Sequence, residues 1–581
     1  MSFFKHVFAT IIGIFLFIII ILVFIMVLIP KEKEIEGNSV LKLDLNKHIV
    51  EREEGSLLDA LQPALGAEEG VLGLLELKRT ILKAKDDPKI KGIILDSREI
   101  DAGFAMLEEI RKVLLDFKSS GKFLIAYSEN YSEGSYYLAS VADKIYLPES
   151  GLVELNGLSV ELLFFKGTLD KLKIQPEIFP VGKYKSAVEP FRYEKMSEEN
   201  RLQIRSFLRS VYDQYISSVA TSRNLDESLL RKISDSMLVR NSADALKYKL
   251  ITDVGYYDQM LDHLRGILSL SSEEKVNIIS IDKYQDKTSE PDMTVAGINK
   301  VAVIFASGDI HQGRGSKNSI GSESLAAEIM KARMDDDVKA VVIRINSPGG
   351  SALASDIIWR EIYITAQKKP VIASMSDVAA SGGYYIAAAC DSIVAHPTTI
   401  TGSIGVFGIL FNGKEFLREK LGITADREKT GIYSDIGSFT REMTDAERKF
   451  IRKEVERIYS EFKQKVAQGR NMDTTTVELY AQGRVWTGIE AKEKGLVDIL
   501  GGLEDAIAIA AVKAGLGENY QVEYLPEIKP VLLKELLEGM GESSVGISED
   551  IKKYRPYLEL LLQIERMEGI QARMPFEILF R

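Results

Sequence analysis

Hydrophobic positions along this chain fall into three patterns. The first is an unbroken apolar run from Val7 to Ile29, 23 residues without a charge. As a helix it measures about 35 Å at 1.5 Å per residue, enough to cross a hydrocarbon core with some tilt. It is apolar on every side, unlike a helix laid on a globular core, and it ends in Ile-Pro-Lys without a small-residue cleavage site. Residues 1–30 are therefore expected to be an uncleaved signal anchor, with everything after them on one side of a membrane. Lys5 and the amino terminus before the run balance Lys31 and Lys33 after it, so charge alone does not set the orientation. The second pattern is a set of short β-branched runs, "KGIILD", "KFLIAYS", "KAVVIRIN" and "PVIASMS", which read as buried parallel strands. The third is amphipathic spacing between these runs, as over Ala105–Lys118 and Ser355–Gln367, which predicts helices. Thr444-Asp-Ala-Glu447 is a capping box that opens a further long helix. Alternating strands and helices indicate stacked βαβ units.

These patterns occur twice. "AKDDPKIKGIIL" from Ala84 matches "ARMDDDVKAVVI" from Ala332, and "SEGSYYLASVAD" from Ser132 matches "ASGGYYIAAACD" from Ala380, both at an offset of 248 residues. "MSEENRLQIRSF" from Met196 resembles "MTDAERKFIRKE" from Met443, and "ALKYKLITD" from Ala245 resembles "AKEKGLVD" from Ala491. The expected organisation is an anchor (1–30), a first α/β copy (45–275), a linker (276–297), a second α/β copy (298–527) and a partly helical tail (528–581).

Composition narrows the chemistry. The 581 residues are too many for one core. A net charge of -11 with no basic stripe argues against nucleic acid as a partner. A single cysteine, Cys390, excludes an internal disulfide and CxxC zinc sites, and the five histidines show no metal-ligand spacing. No metal or cofactor is expected.

Comparison of the copies singles out candidate residues. Ser381, in "SDVAASGGYYIAAAC", sits where the backbone can turn sharply, and its counterpart is Glu133. Asn346-Ser-Pro-Gly-Gly350 replaces Arg98–Ala102, and Ser403 replaces Leu155. Gly349 and Gly350 follow a strand and precede a helix, a place where backbone N–H groups can face an oxyanion; Ser-Pro-Gly-Gly is also an ordinary turn. A serine nucleophile needs a base, and no His, Lys, Asp or Glu stands near it in sequence except Asp377. His396 is one option, and as part of "HP" it also reads as a loop residue. Lys185, amid Tyr184, Ala187, Val188 and Phe191, is another, with Ser434 as its counterpart. A lysine base must be neutral, so its pKa must fall by roughly 2–3 pH units from about 10.4, at a cost of about 3–4 kcal/mol. A lysine of this kind is more often a solvated surface group.

The segments "YKSAVEPF", "NSPGG", "ASMSDVAASGGYYIA", "TGSIGVFG" and "GRVWTG" resemble those of the signal peptide peptidase A family in its long, tandem-repeat form. These are membrane-anchored Ser/Lys peptidases of the Clp-protease/crotonase superfamily. The resemblance covers nearly the whole chain and implies two tandem crotonase-like domains. It implies Ser381 as nucleophile, Lys185 as general base and Ser403 as the residue that helps hold the lysine. Gly349 and Gly350 would line the oxyanion hole, with Gly382 as a second donor. It also implies remnant signal peptides as substrates, a homotetramer, and a bacterial inner-membrane location with the catalytic domains on the periplasmic side. Two other readings are an acyl-CoA-handling crotonase-like enzyme and a non-catalytic membrane scaffold.

Overall fold

In the computed structural model, residues 35–53, 71–288, 299–315, 319–517, 519–527 and 569–574 are described, together with residue 13. The apolar run 7–29 apart from residue 13, residues 289–298 of the linker, and residues 528–568 and 575–581 of the tail lie outside the described residues. No helix among the described residues is long and apolar enough to cross a membrane.

The β-branched runs form two mainly parallel sheets, one per copy. In the first, Ile90–Asp96 lies between Ser39–Asp44 and Phe123–Tyr127, and Lys144–Leu147 continues the sheet. In the second, Val338–Ser347 lies between Lys300–Ser307 and Val371–Ala380, with Ser392–Ala395 pairing beyond. Ile90, Phe123 and Lys144 open strands 248 residues before Val338, Val371 and Ser392, so the sequence offset is also a structural one. The segment read as a linker begins as structure: Ile278–Ser280 pairs in parallel with the strand Ser39–Asp44, burying Ile279 at the edge of the first sheet.

The copies differ where the parallel strands end. Val338–Ser347 and Val371–Ala380 are 10 residues each, against 7 and 5 for Ile90–Asp96 and Phe123–Tyr127. The extra residues carry Asn346, Ser347 and the approach to Ser381 beyond the core. Ligand sites of open α/β sheets form at this carboxyl end.

A third sheet ties the molecule together. Its order is Ser319–Gly321, Asp309–His311, Gly349–Ser351, Gly569–Arg573, Val406–Asn412, Gln175–Val181. It thus takes one strand from the first copy, four from the second and one from the tail. Gln175–Val181 pairs antiparallel with Val406–Asn412 over its full length.

The copies also meet through buried charge. Arg344, 0% exposed, donates to Glu51 at 2.8 Å, pairs with Glu109 at 2.7 Å and donates to Ser374 and Ser376. Lys78 also pairs with Glu109, and His396 lies 3.0 Å from Glu109 and 3.1 Å from Glu108. Burial opposes charge on His396, but its hydrogen bonds to the two glutamates prevail and raise its pKa to about 9.

Candidate active site

Strand register brings the site together. Ala380 is paired with Gly402, so Ser381 and Ser403 emerge side by side from neighbouring strand ends. Ser381 N–H donates to the Gly402 carbonyl at 2.8 Å. Its φ of 54° and ψ of -109° place a non-glycine residue in a strained region just before the helix Gly382–Ala387. Ser403 also has a positive φ, 48°. The turn expected around Ser381 is therefore a sharp bend from strand to helix.

Lys185 arrives from the first copy. After Val181 pairs with Val406, the chain turns at Gly182, and the Lys185 amide donates to the Gly182 carbonyl at 3.2 Å. The loop is held from both copies. Tyr184 N–H donates to Gln482, and Gln203, on the helix Glu198–Arg223, donates to the Tyr184 carbonyl and to Ser186. Gln203 Oε1 accepts from the amide of Val485 in the second copy. Ala187, Val188 and Phe191 pack with Phe407 and Ile409, so the apolar surroundings expected of this lysine are partly supplied by the other copy.

Lys185 is 3% exposed, and both Ser381 and Ser403 are 0% exposed. Lys185 Nζ lies 2.8 Å from Ser381 Oγ, and 3.1 Å from both the carbonyl oxygen and Oγ of Ser403. Among the described residues no carboxylate pairs with this amine, and desolvation lowers its pKa well below 10.5. Gly483 leaves room for it: a Cβ there would lie 2.6 Å from Lys185 Cβ. A buried amine that sheds its proton and faces a hydroxyl can act as a general base.

The predicted glycines sit opposite. Gly349 has φ 100°, and a Cβ on it would lie 2.6 Å from the Gly382 nitrogen and 2.1 Å from the carbonyl oxygen of Ala572. A Cβ on Gly382 would lie 3.1 Å from that same oxygen. Gly350, φ 155°, is pressed instead against Ile310, which a Cβ would meet at 2.0 Å. A side chain on Gly349 or on Gly382 would therefore crowd the same carbonyl oxygen, while Gly350 makes room for the neighbouring strand.

The other candidates lie elsewhere. His396 faces Glu108 and Glu109. Asp377 accepts from Met106 N–H at 3.1 Å, and burial raises its carboxyl to about 6. Ser434, the counterpart of Lys185, is exposed in a surface loop. Sequence reasoning did not single out Gln203, or the tail strand beside Gly349; the first is a polar residue on an otherwise ordinary helix, and the second lies far along the chain from the copies.

A model of peptidase family S49 matches residues 116–270 and 364–517. Protease 4 of Haemophilus influenzae is 34% identical over 93% of this chain and 91% of its own. The chain belongs to peptidase family S49. The two matched stretches fall in the two copies, so the duplication is of the S49 unit itself. The chloroplastic serine protease SPPA of Arabidopsis thaliana is 36% identical over 87% of this chain and 74% of its own. Among solved structures, a mutant ClpP1 from Listeria monocytogenes is 16% identical over 35% of this chain and 94% of its own, with a TM-score of 0.25. As a member of S49 the protein is a serine peptidase, which sets aside the acyl-CoA and scaffold readings.

Proposed function

We propose that this S49 peptidase is a membrane-anchored endopeptidase that uses a Ser381–Lys185 dyad to degrade cleaved signal peptides and other apolar peptides at the bilayer. One observation carries the dyad: a buried amine with no acid partner among the described residues lies 2.8 Å from the hydroxyl of a strained serine. Neutral Lys185 takes the proton of Ser381 Oγ as the oxygen attacks the scissile carbonyl. Backbone N–H groups of Gly349 and Gly382 hold the oxyanion. Lys185 then gives its proton to the leaving amine, and water, activated by the same amine, hydrolyses the ester. Ser403 fixes the direction of the ammonium and supplies two oxygens to it between the proton transfers.

The location rests on the run Val7–Ile29. An anchor at the bacterial inner membrane, with the catalytic copies on the periplasmic side, holds the enzyme where apolar signal peptides remain after cleavage. A homotetramer is part of this reading. The second copy's equivalent of the Lys185 loop exposes Ile432 and Tyr433, and the first copy's equivalent of the strand that receives it exposes Leu163. In the proposed tetramer these surfaces mate between successive chains, repeating the contact made within one chain.

Incubation of the purified full chain with a fluorophosphonate probe and synthetic signal peptides tests this reading. The expected result is labelling at Ser381 alone and peptide hydrolysis, both absent from Ser381→Ala. Normal turnover by Lys185→Ala would refute the dyad.

A further inference from the structure

Lys185 is the centre of an inverse γ-turn. Its φ of -76° and ψ of 71° fit that turn, and Ser186 N–H donates across it to the Tyr184 carbonyl at 2.8 Å. One side chain grips both ends of the turn. Gln203 Nε2 donates to the Tyr184 carbonyl at 3.1 Å and to Ser186 Oγ at 2.9 Å. The other half of the carboxamide faces the second copy, where Oε1 accepts from Val485 N–H at 3.3 Å. Val485 pairs with Gly402, and the two residues before it hold Ser403: the Ser403 amide donates to the Arg484 carbonyl at 2.7 Å, and Ser403 Oγ donates to the Gly483 carbonyl at 3.3 Å. One neutral carboxamide, 0% exposed, therefore joins the turn that presents the amine to the segment that seats Ser403.

The carboxamide is itself fixed. Asn200 Oδ1 accepts from Gln203 Nε2 at 3.1 Å and from Ser186 Oγ at 2.9 Å, and Asn200 Nδ2 donates to Glu189 at 2.9 Å. Glu189, from the lysine's own loop, accepts from Ser197 N–H at 3.2 Å at the start of the helix Glu198–Arg223. In the second copy the corresponding helix is capped from within, by Glu447 accepting from Thr444 N–H. Aligning Met196 with Met443 sets Gln203 against Phe450, which is exposed, and Asn200 against Glu447. The amide pair thus belongs to the copy that carries the lysine. A position that only fills space in a helix interface takes Leu or Met without the cost of burying polar atoms. Neutrality matters as well as reach. A carboxylate in this place would favour the protonated lysine, and a cationic side chain has no acceptor for Val485 N–H. The charged groups nearest the turn are engaged elsewhere: Glu189 with Ser197 and Asn200, Arg484 over the rings of Tyr184 and Trp486, and Lys183 over Tyr184. We infer that Gln203 is a positioning residue for the general base, holding the γ-turn closed and in register with the second copy so that Lys185 Nζ stands within hydrogen-bond reach of Ser381 Oγ. The inference rests on the Ser381–Lys185 reading above. With the clip removed, the turn opens, and the amine both leaves Ser381 and meets water, which returns its proton.

Steady-state hydrolysis of a synthetic signal peptide across pH, by the full chain purified in detergent, tests the inference on wild type, Gln203→Met, Gln203→Glu and Lys185→Ala. Gln203→Met keeps the length of the side chain and loses its hydrogen bonds. Its kcat is expected to fall about 100-fold with KM little changed. The acid limb of its kcat/KM profile is expected to move to higher pH. Gln203→Glu keeps an acceptor for Val485 and adds an acid, so its limb moves the same way; it also carries the test if circular dichroism shows that Gln203→Met does not fold. An acid limb at the wild-type position in the folded variants overturns the inference even if the rate falls, because Gln203 then only supports the fold. A loss carried by KM alone overturns it as well. An inactive Lys185→Ala beside Gln203 variants with the wild-type profile removes the inference and leaves the dyad. Normal turnover by Lys185→Ala removes both.

Discussion

As the proposed general base, Lys185 carries the most demanding requirement in the molecule, because an amine is useful there only without its proton. Burial holds its pKa well below 10.5, so the unfolded chain binds a proton that the folded chain releases. This disfavours the folded state fully below the lowered pKa, and the effect declines as pH rises from there to about 10.5. Lys185→Met should therefore abolish peptide hydrolysis while raising the melting temperature at neutral pH, with the gap over wild type closing above pH 10.5. Wild-type kcat/KM should rise with pH through the lowered pKa of the amine. Gly483→Ala should lower both kcat and the melting temperature, since Gly483 has a φ of 78° and the added methyl would lie 2.6 Å from Lys185 Cβ; steady-state kinetics and circular dichroism read the two effects. The residue types at the site were legible in the sequence by comparing the copies, which put Ser381 against Glu133 and Lys185 against Ser434. The choice between Lys185 and His396 was not legible from residues alone, because both depend on contacts made with the opposite copy.

Individual strands and helices follow the sequence closely where burial is one-sided. The β-branched runs became the parallel strands, and Thr444 and Glu447 form the expected capping box of the helix Asp445–Gly469. The third sheet was invisible, since strands such as Gly349–Ser351 carry no alternating pattern and acquire pairing partners only from distant chain segments. The charged contact between the copies was equally hidden, because Arg344 sits inside an otherwise apolar run. Arg344→Ala leaves Glu51 and Glu109 buried without their guanidinium and should cost about 3–5 kcal/mol in chemical denaturation. His396 adds a pH signature. Its folded pKa, raised from 6.5 to about 9, means that its contribution to stability is full below pH 6.5 and is lost as pH rises through about 9. His396→Gln should remove that part of the pH dependence of the melting temperature while leaving Ser381 reactive to the probe.

On the proposed mechanism the two copies are complementary parts of one enzyme. The first supplies the amine and its supporting helix, and the second supplies the hydroxyl and the glycines. Residues 35–288 and 299–581 expressed separately should each lack peptidase activity, even if soluble. Removal of residues 1–34 should move the protein from the membrane fraction to the soluble one while light scattering still reports a tetramer. The duplication itself was plain from the 248-residue offset, but the way one copy reaches into the other is a property of packing that no local pattern encodes. The separation of 196 positions from Lys185 to Ser381 has a further consequence during synthesis. A ribosome that has finished the first copy has released a lysine with nothing to activate, and a nascent chain cut short before Ser403 has no complete dyad pocket. With the proposed dyad, hydrolytic power is withheld until translation is well into the second copy.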